Sequence, residues 1–127
     1  MDFPTLKERF PFLFPSDLTF WIQPGWSELL ERTAIALAVL AEKEGVPVTV
    51  VEVKEKFGQM RMYCQCRDRR VLDLAFAITR AAENESRRIC EACGGVGRLS
   101  SRPGCVKAIC TNCGPEFEPV DESMFRL

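Results

Sequence analysis

Apolar residues recur at helical spacing from Leu30 onward: Leu30, Ala34, Leu37 and Ala41 form one stripe, and Ile35, Ala38 and Val39 widen it. Ahead of the stripe, Pro24-Gly25-Trp26-Ser27 supplies a helix start in which Ser27 is a candidate N-cap and Glu28 and Glu31 complement the N-terminal dipole. Gly45 suits a left-handed C-terminal cap, so the pattern predicts a helix from Ser27 to about Glu44. The period then changes. Val46 to Val53 is dense in β-branched residues, Lys54-Glu55-Lys56-Phe57-Gly58 reads as a polar turn, and Met60-Arg61-Met62-Tyr63-Cys64 alternates, together predicting a β-hairpin. Helical spacing returns with Val71, Ala75, Ile78 and Ala82 on one face; Asp68 is the candidate cap, and Glu83 precedes Arg87 by one turn. This second helix is expected over about Arg69 to Arg88.

Upstream of the first helix, Phe3 to Trp21 is aromatic and interrupted by Pro4, Pro11 and Pro15, with Leu6-Lys7-Glu8-Arg9 long enough for a single helical turn. It is expected to form an irregular arm whose Phe10, Phe12, Phe14, Phe20 and Trp21 cover the core. An isolated hairpin is marginal in water, so both helices are expected to cover one face of the sheet. The fold class is therefore α+β. Residues 1–89 are expected to form the α+β domain, 90–114 a zinc ribbon, and 115–127 an acidic, proline-containing tail.

Composition adds boundaries. A chain of 127 residues that is 46% apolar can build one compact core with a small appendage. Its longest apolar run, Ala34 to Ala41, falls far short of the roughly 20 residues a spanning helix needs, so no membrane crossing is expected. The prolines also break up any secretory signal, which makes the cytoplasm the expected compartment. There, seven cysteines stay reduced and point to metal rather than to a disulfide framework. Charge is zoned: residues 54–107 carry twelve Lys/Arg against six Asp/Glu, whereas 1–53 carry four against eight and 108–127 one against four. This is not the charge distribution of a uniformly basic nucleic-acid binder.

Cys90-Glu91-Ala92-Cys93-Gly94 and Cys110-Thr111-Asn112-Cys113-Gly114 repeat one pattern with sixteen residues between Cys93 and Cys110, the spacing of a zinc ribbon. Cysteines three apart can grip one metal from a tight turn, and the glycine that follows permits a backbone that brings amides to sulfur. Four thiolates close the tetrahedron and leave no position for water. The expected cofactor is one structural Zn²⁺ per chain on Cys90, Cys93, Cys110 and Cys113. Cys64, Cys66 and Cys105 remain; Cys64 and Cys66 are two apart and share a strand face, but lacking further soft ligands they read as partly buried thiols. Histidine is absent, which removes the usual base for a Ser or Cys nucleophile and the usual catalytic zinc ligands. No catalytic motif is recognisable among the carboxylates and lysines, and no enzyme is expected.

Gly25-Trp26, Val53-Lys54-Glu55-Lys56-Phe57-Gly58, Arg61-Met62-Tyr63, Ser86 and Cys90-Glu91-Ala92-Cys93-Gly94 together resemble a family of small uncharacterised proteins of phages, prophages and bacteria. The resemblance covers about residues 25–113. That family usually reads Lys-Phe-Gly-Gly-Leu-Arg-Phe-Tyr along the strand, so Gln59, Met60 and Met62 depart from it, and Cys113 stands where the family often has histidine. The resemblance implies a small accessory protein that binds and inhibits host machinery, as anti-CRISPR and other anti-defence proteins do. The partner is expected to be a protein, and the candidate partner surface is Lys54, Lys56, Phe57, Met60, Arg61 and Tyr63. The alternative is a zinc-ribbon nucleic-acid-binding regulator that uses the ribbon as a reading head, on the ground of the basic middle zone, where Lys54, Lys56, Arg61, Arg67, Arg69 and Arg70 cluster.

Overall fold

A computed structural model describes residues 2–125. The described residues form an α+β fold with three α-helices and two small sheets. Helix α1 spans Phe3–Arg9, so the arm is more regular than its prolines imply. The reason lies at its start: the Asp2 carboxylate accepts the Thr5 amide at 2.8 Å, and Pro4 sits in the first turn, where its missing N–H costs nothing. The arm's aromatics divide. Phe14 and Phe20 are buried in an edge-to-face pair at 5.1 Å, and Phe10 is half-buried, but Phe12 and Trp21 stay exposed. Strand β1, Phe20–Trp21, then runs parallel to a later strand.

Helix α2 spans Ser27–Glu44, entered through a 3-10 turn at Pro24–Trp26 and closed by Gly45 at φ +67°. Ser27 is its first helical residue rather than its cap. Leu30, Ala34 and Leu37 are buried as the stripe requires, whereas Ile35 and Val39 face outward, because α3 occupies only one side of α2. Strands β2 (Thr49–Lys56) and β3 (Gln59–Gln65) make the hairpin. Lys54, Glu55 and Lys56 belong to the strand, not the turn. The turn is only Phe57-Gly58, and both residues have positive φ, as a tight two-residue hairpin needs. The sheet order is β1-β2-β3.

Helix α3, Arg69–Ser86, starts as expected with the Asp68 carboxylate accepting the amides of Arg70 and Val71. It lies against β3 and packs on α2. Ion pairs Arg32–Glu85 and Arg70–Glu44 tie opposite ends of the two helices, which fixes them as antiparallel neighbours. In the C-terminal part, β4 (Arg98–Arg102) pairs with β5 (Cys105–Ile109) and with β6 (Glu118–Pro119). Part of the expected tail is thus the third strand of a sheet. Nor does 90–114 stand apart: Leu99 and Ala108 lie in the same hydrophobic core as Trp26, Val53 and Met60. Among the described residues no helix is long and apolar enough to cross a membrane.

Candidate functional site

The four cysteines expected to hold metal converge. Cys90 follows α3, Cys93 ends the first knuckle, and Cys110 and Cys113 flank the turn after β5. Their sulfurs all lie within 4.8 Å of one another, with Cys93 Sγ 3.8 Å from Cys110 Sγ. Four thiolates about 2.3 Å from a tetrahedral ion would sit about 3.8 Å apart, so the cluster fits a metal and is compatible with a zinc ribbon. Two amides already point at sulfur, Gly95 N to Cys93 Sγ and Cys113 N to Cys110 Sγ, each at 3.4 Å. The Cys113 amide pulls the Cys110 thiol down to about 7, while Cys113, bonded through its own thiol to Cys110, is held up at about 12. Such a cluster carries some thiolate at neutral pH and sheds its remaining protons when a cation binds.

The two knuckle glycines serve different ends. Gly94 adopts φ +82°, as a turn around metal requires, whereas at Gly114 a Cβ would meet Phe117 at 2.8 Å and Ile109 at 2.9 Å. Cys64, Cys66 and Cys105 are half-buried and outside the cluster; burial pushes the Cys64 thiol up to about 11.

Gly25, Trp26, Glu55, Gly58, Ser86 and Glu91 meet at one joint between the hairpin, the start of α2 and the ribbon. Gly25 N donates to Glu91 O at 2.7 Å, and a Cβ on Gly25 would lie 2.2 Å from that oxygen. Trp26 is fully buried and its Nε1 donates to Ile89 O at 2.9 Å. Ser86 Oγ accepts the Met60 amide at 2.9 Å and donates to Glu83 O at 2.6 Å. Gly58 presses on the ribbon, where an added Cβ would come 2.5 Å from Leu99. Glu55 accepts the Gly58 amide and pairs with Lys107 of β5, which also faces the buried Glu91 at 3.6 Å.

Five of the six candidate partner residues reach the surface. Met60 does not: its side chain is fully buried beneath α3, because β3 turns Met60 and Met62 toward the core, so it cannot anchor a partner. Lys54 lies 5.7 Å over the Tyr63 ring and 3.3 Å from Glu52, Lys56 lies 5.8 Å over Phe57, and Arg61 is 3.4 Å from Glu83 of α3. The sheet adds a residue the sequence reading placed in the core. Trp21 registers with Lys54, and Lys54 with Arg61, forming one row across the outer face, and Trp21 is 69% exposed. Its two-residue strand offers no periodicity from which that position could be read. The chain matches no protein-family model, no curated protein and no solved structure.

Proposed function

We propose that this chain is a non-enzymatic interaction module, stapled by one structural zinc ion, which binds a protein partner through the outer face of its hairpin. The observation that carries the reading is Phe57. An aromatic residue with φ +52° occupies a turn position that favours Asn, Asp or Gly, and it is 56% exposed, so neither backbone preference nor core packing accounts for it. A strained, solvent-facing aromatic, at the tip of a hairpin whose outer face also carries Tyr63, Trp21 and Arg61, belongs to the residue types that anchor protein interfaces. Zinc is the metal of choice because four thiolates with tetrahedral spacing suit it, and the closed set gives it a structural role. A reducing compartment such as the cytoplasm would keep those thiols available. The family resemblance extends the proposal to an accessory protein that inhibits host machinery, anti-defence inhibitors being one such class.

Affinity capture from host extract tests this reading: wild type should retain a specific protein that Phe57→Asn and Trp21→Ala release while the fold persists. A partner held equally by all three would refute the surface. The row Trp21–Lys54–Arg61 favours a second reading, single-stranded nucleic acid stacked on the sheet. In that case affinity would fall steeply with salt and Lys54→Ala would flatten the slope.

A further inference from the structure

Between β3 and α3 lies a groove of ≈ 200 Å³ whose lining includes Arg61, Tyr63, Phe76, Arg80, Glu83 and Arg87. Two observations about it are independent of each other. The Nε atoms of Arg61 and Arg87 are both enclosed, and neither donates a hydrogen bond. Arg61 Nε has Glu83 Oε1 at 3.4 Å without hydrogen-bond alignment, and Arg87 spends its Nη2 on Asn84 at 3.1 Å. Enclosed guanidinium donors without acceptors are uncommon in folded proteins and call for an explanation. Separately, Phe76 is 61% and Tyr63 43% exposed, so apolar surface flanks the arginines. Three cations face one carboxylate here.

Resting on the protein-binding reading, we propose that this groove is the recognition site for an acidic segment of the partner: an Asp or Glu carboxylate received by Arg61 and Arg87, with a neighbouring aliphatic or aromatic side chain laid on Tyr63 and Phe76. A planar carboxylate matches the guanidinium fork. A nucleic-acid strand matches less well, since its repeating phosphates would be brought against Glu83 and, along the sheet, Glu52. The competing carboxylate makes the occupant selective. It must supply a short acidic patch with apolar neighbours rather than a long polyanion.

The test is to pan a random dodecapeptide display library on the metal-loaded full chain, then to measure the enriched synthetic peptide, and oligo(dT) in parallel, by fluorescence anisotropy. Asp or Glu should be enriched beside Leu, Ile or Phe. Arg87→Gln and Arg61→Gln should each weaken that peptide by about tenfold or more, the worth of a charge-assisted hydrogen bond. Glu83→Gln should tighten it, a gain that a purely structural role for these residues would not produce. Unchanged melting and metal content certify each variant, and Arg87→Gln carries the test if Arg61→Gln does not fold. Failure to enrich acidic peptides, or enrichment indifferent to both arginines, overturns the groove. If Phe57→Asn nevertheless releases a captured protein, the protein-binding reading stands without it. Tighter binding of oligo(dT), weakened by the same substitutions, overturns both.

Discussion

Phe57 and Gly58 show how two adjacent residues can occupy similar backbone conformations for unlike reasons. Gly58 is at φ +77° and has no room for a Cβ against Leu99, so geometry and packing both demand glycine. Phe57 at φ +52° has no such demand on it, and a left-handed non-glycine residue costs about 1–2 kcal/mol. Phe57→Asn is therefore expected to stabilise the fold by about 1 kcal/mol, read as a raised midpoint in urea, while weakening the partner. Equal or lower stability would mean that the ring supports the turn. Trp26 poses the opposite case. Its indole is fully buried and bonded to Ile89 O, so Trp26→Phe leaves that carbonyl unpaired and should cost about 1–3 kcal/mol in chemical denaturation, with the metal still bound.

Among the elements, the two long helices and the hairpin were legible because their residues obey one period each: Val71, Ala75 and Ala82 are buried where helical spacing puts them, and Asp68 caps as its position predicts. The cysteine cluster was legible because two repeated triplet spacings leave little freedom. Strands β1 and β6, two residues each, were not, since they contain no repeat and owe their pairing to β2 and β4. The hairpin's boundaries slipped because Lys54 and Lys56 look like turn residues, although they occupy the solvent face of a strand. Glu55 shows why alternating polarity misled. It sits among polar residues, yet it turns toward β5 and pairs with Lys107 at 3.2 Å. Lys107 is the cation between Glu55 and Glu91, whose carboxylate burial holds above the usual range. Lys107→Met would leave two carboxylates facing each other and should cost about 3 kcal/mol at neutral pH. The sign with pH follows: a carboxyl whose folded pKa is raised binds protons more readily folded than unfolded, so this variant should regain stability as pH falls toward that of ordinary carboxylates. A urea-midpoint series that compares Lys107→Met with wild type across mildly acidic pH, metal content monitored, would show the gap narrowing. A constant gap would place the cost in packing alone.

At the scale of the whole molecule the four-cysteine cluster is carried by a sheet that belongs to the core rather than by an appended module. Leu99 and Ala108 of the ribbon sheet are fully buried against the same residues that the hairpin and α2 bury, and Gly25 N–Glu91 O, Trp26 Nε1–Ile89 O and Glu55–Lys107 bridge the two parts. A free-standing ribbon would unfold on chelation and leave the remainder intact. Here, loosening residues 90–113 would uncover Met60, Trp26 and the hairpin turn, so metal release must draw on the stability of the entire chain. Purified protein should contain one zinc per chain, and chelator should lower the melting temperature of one cooperative transition followed equally by tryptophan fluorescence and far-ultraviolet dichroism. Cys93→Ser should reproduce that loss without chelator. Because a bound cation competes with protons for the four sulfurs, and hydrogen bonding to the neighbouring thiols raises the Cys113 thiol above its ordinary value in the metal-free cluster, the chelator-induced drop should begin at lower chelator concentration as pH falls. Two separate transitions, with the helical signal untouched when zinc leaves, would show that the joint at Gly25 and Gly58 transmits nothing and that the ribbon folds by itself.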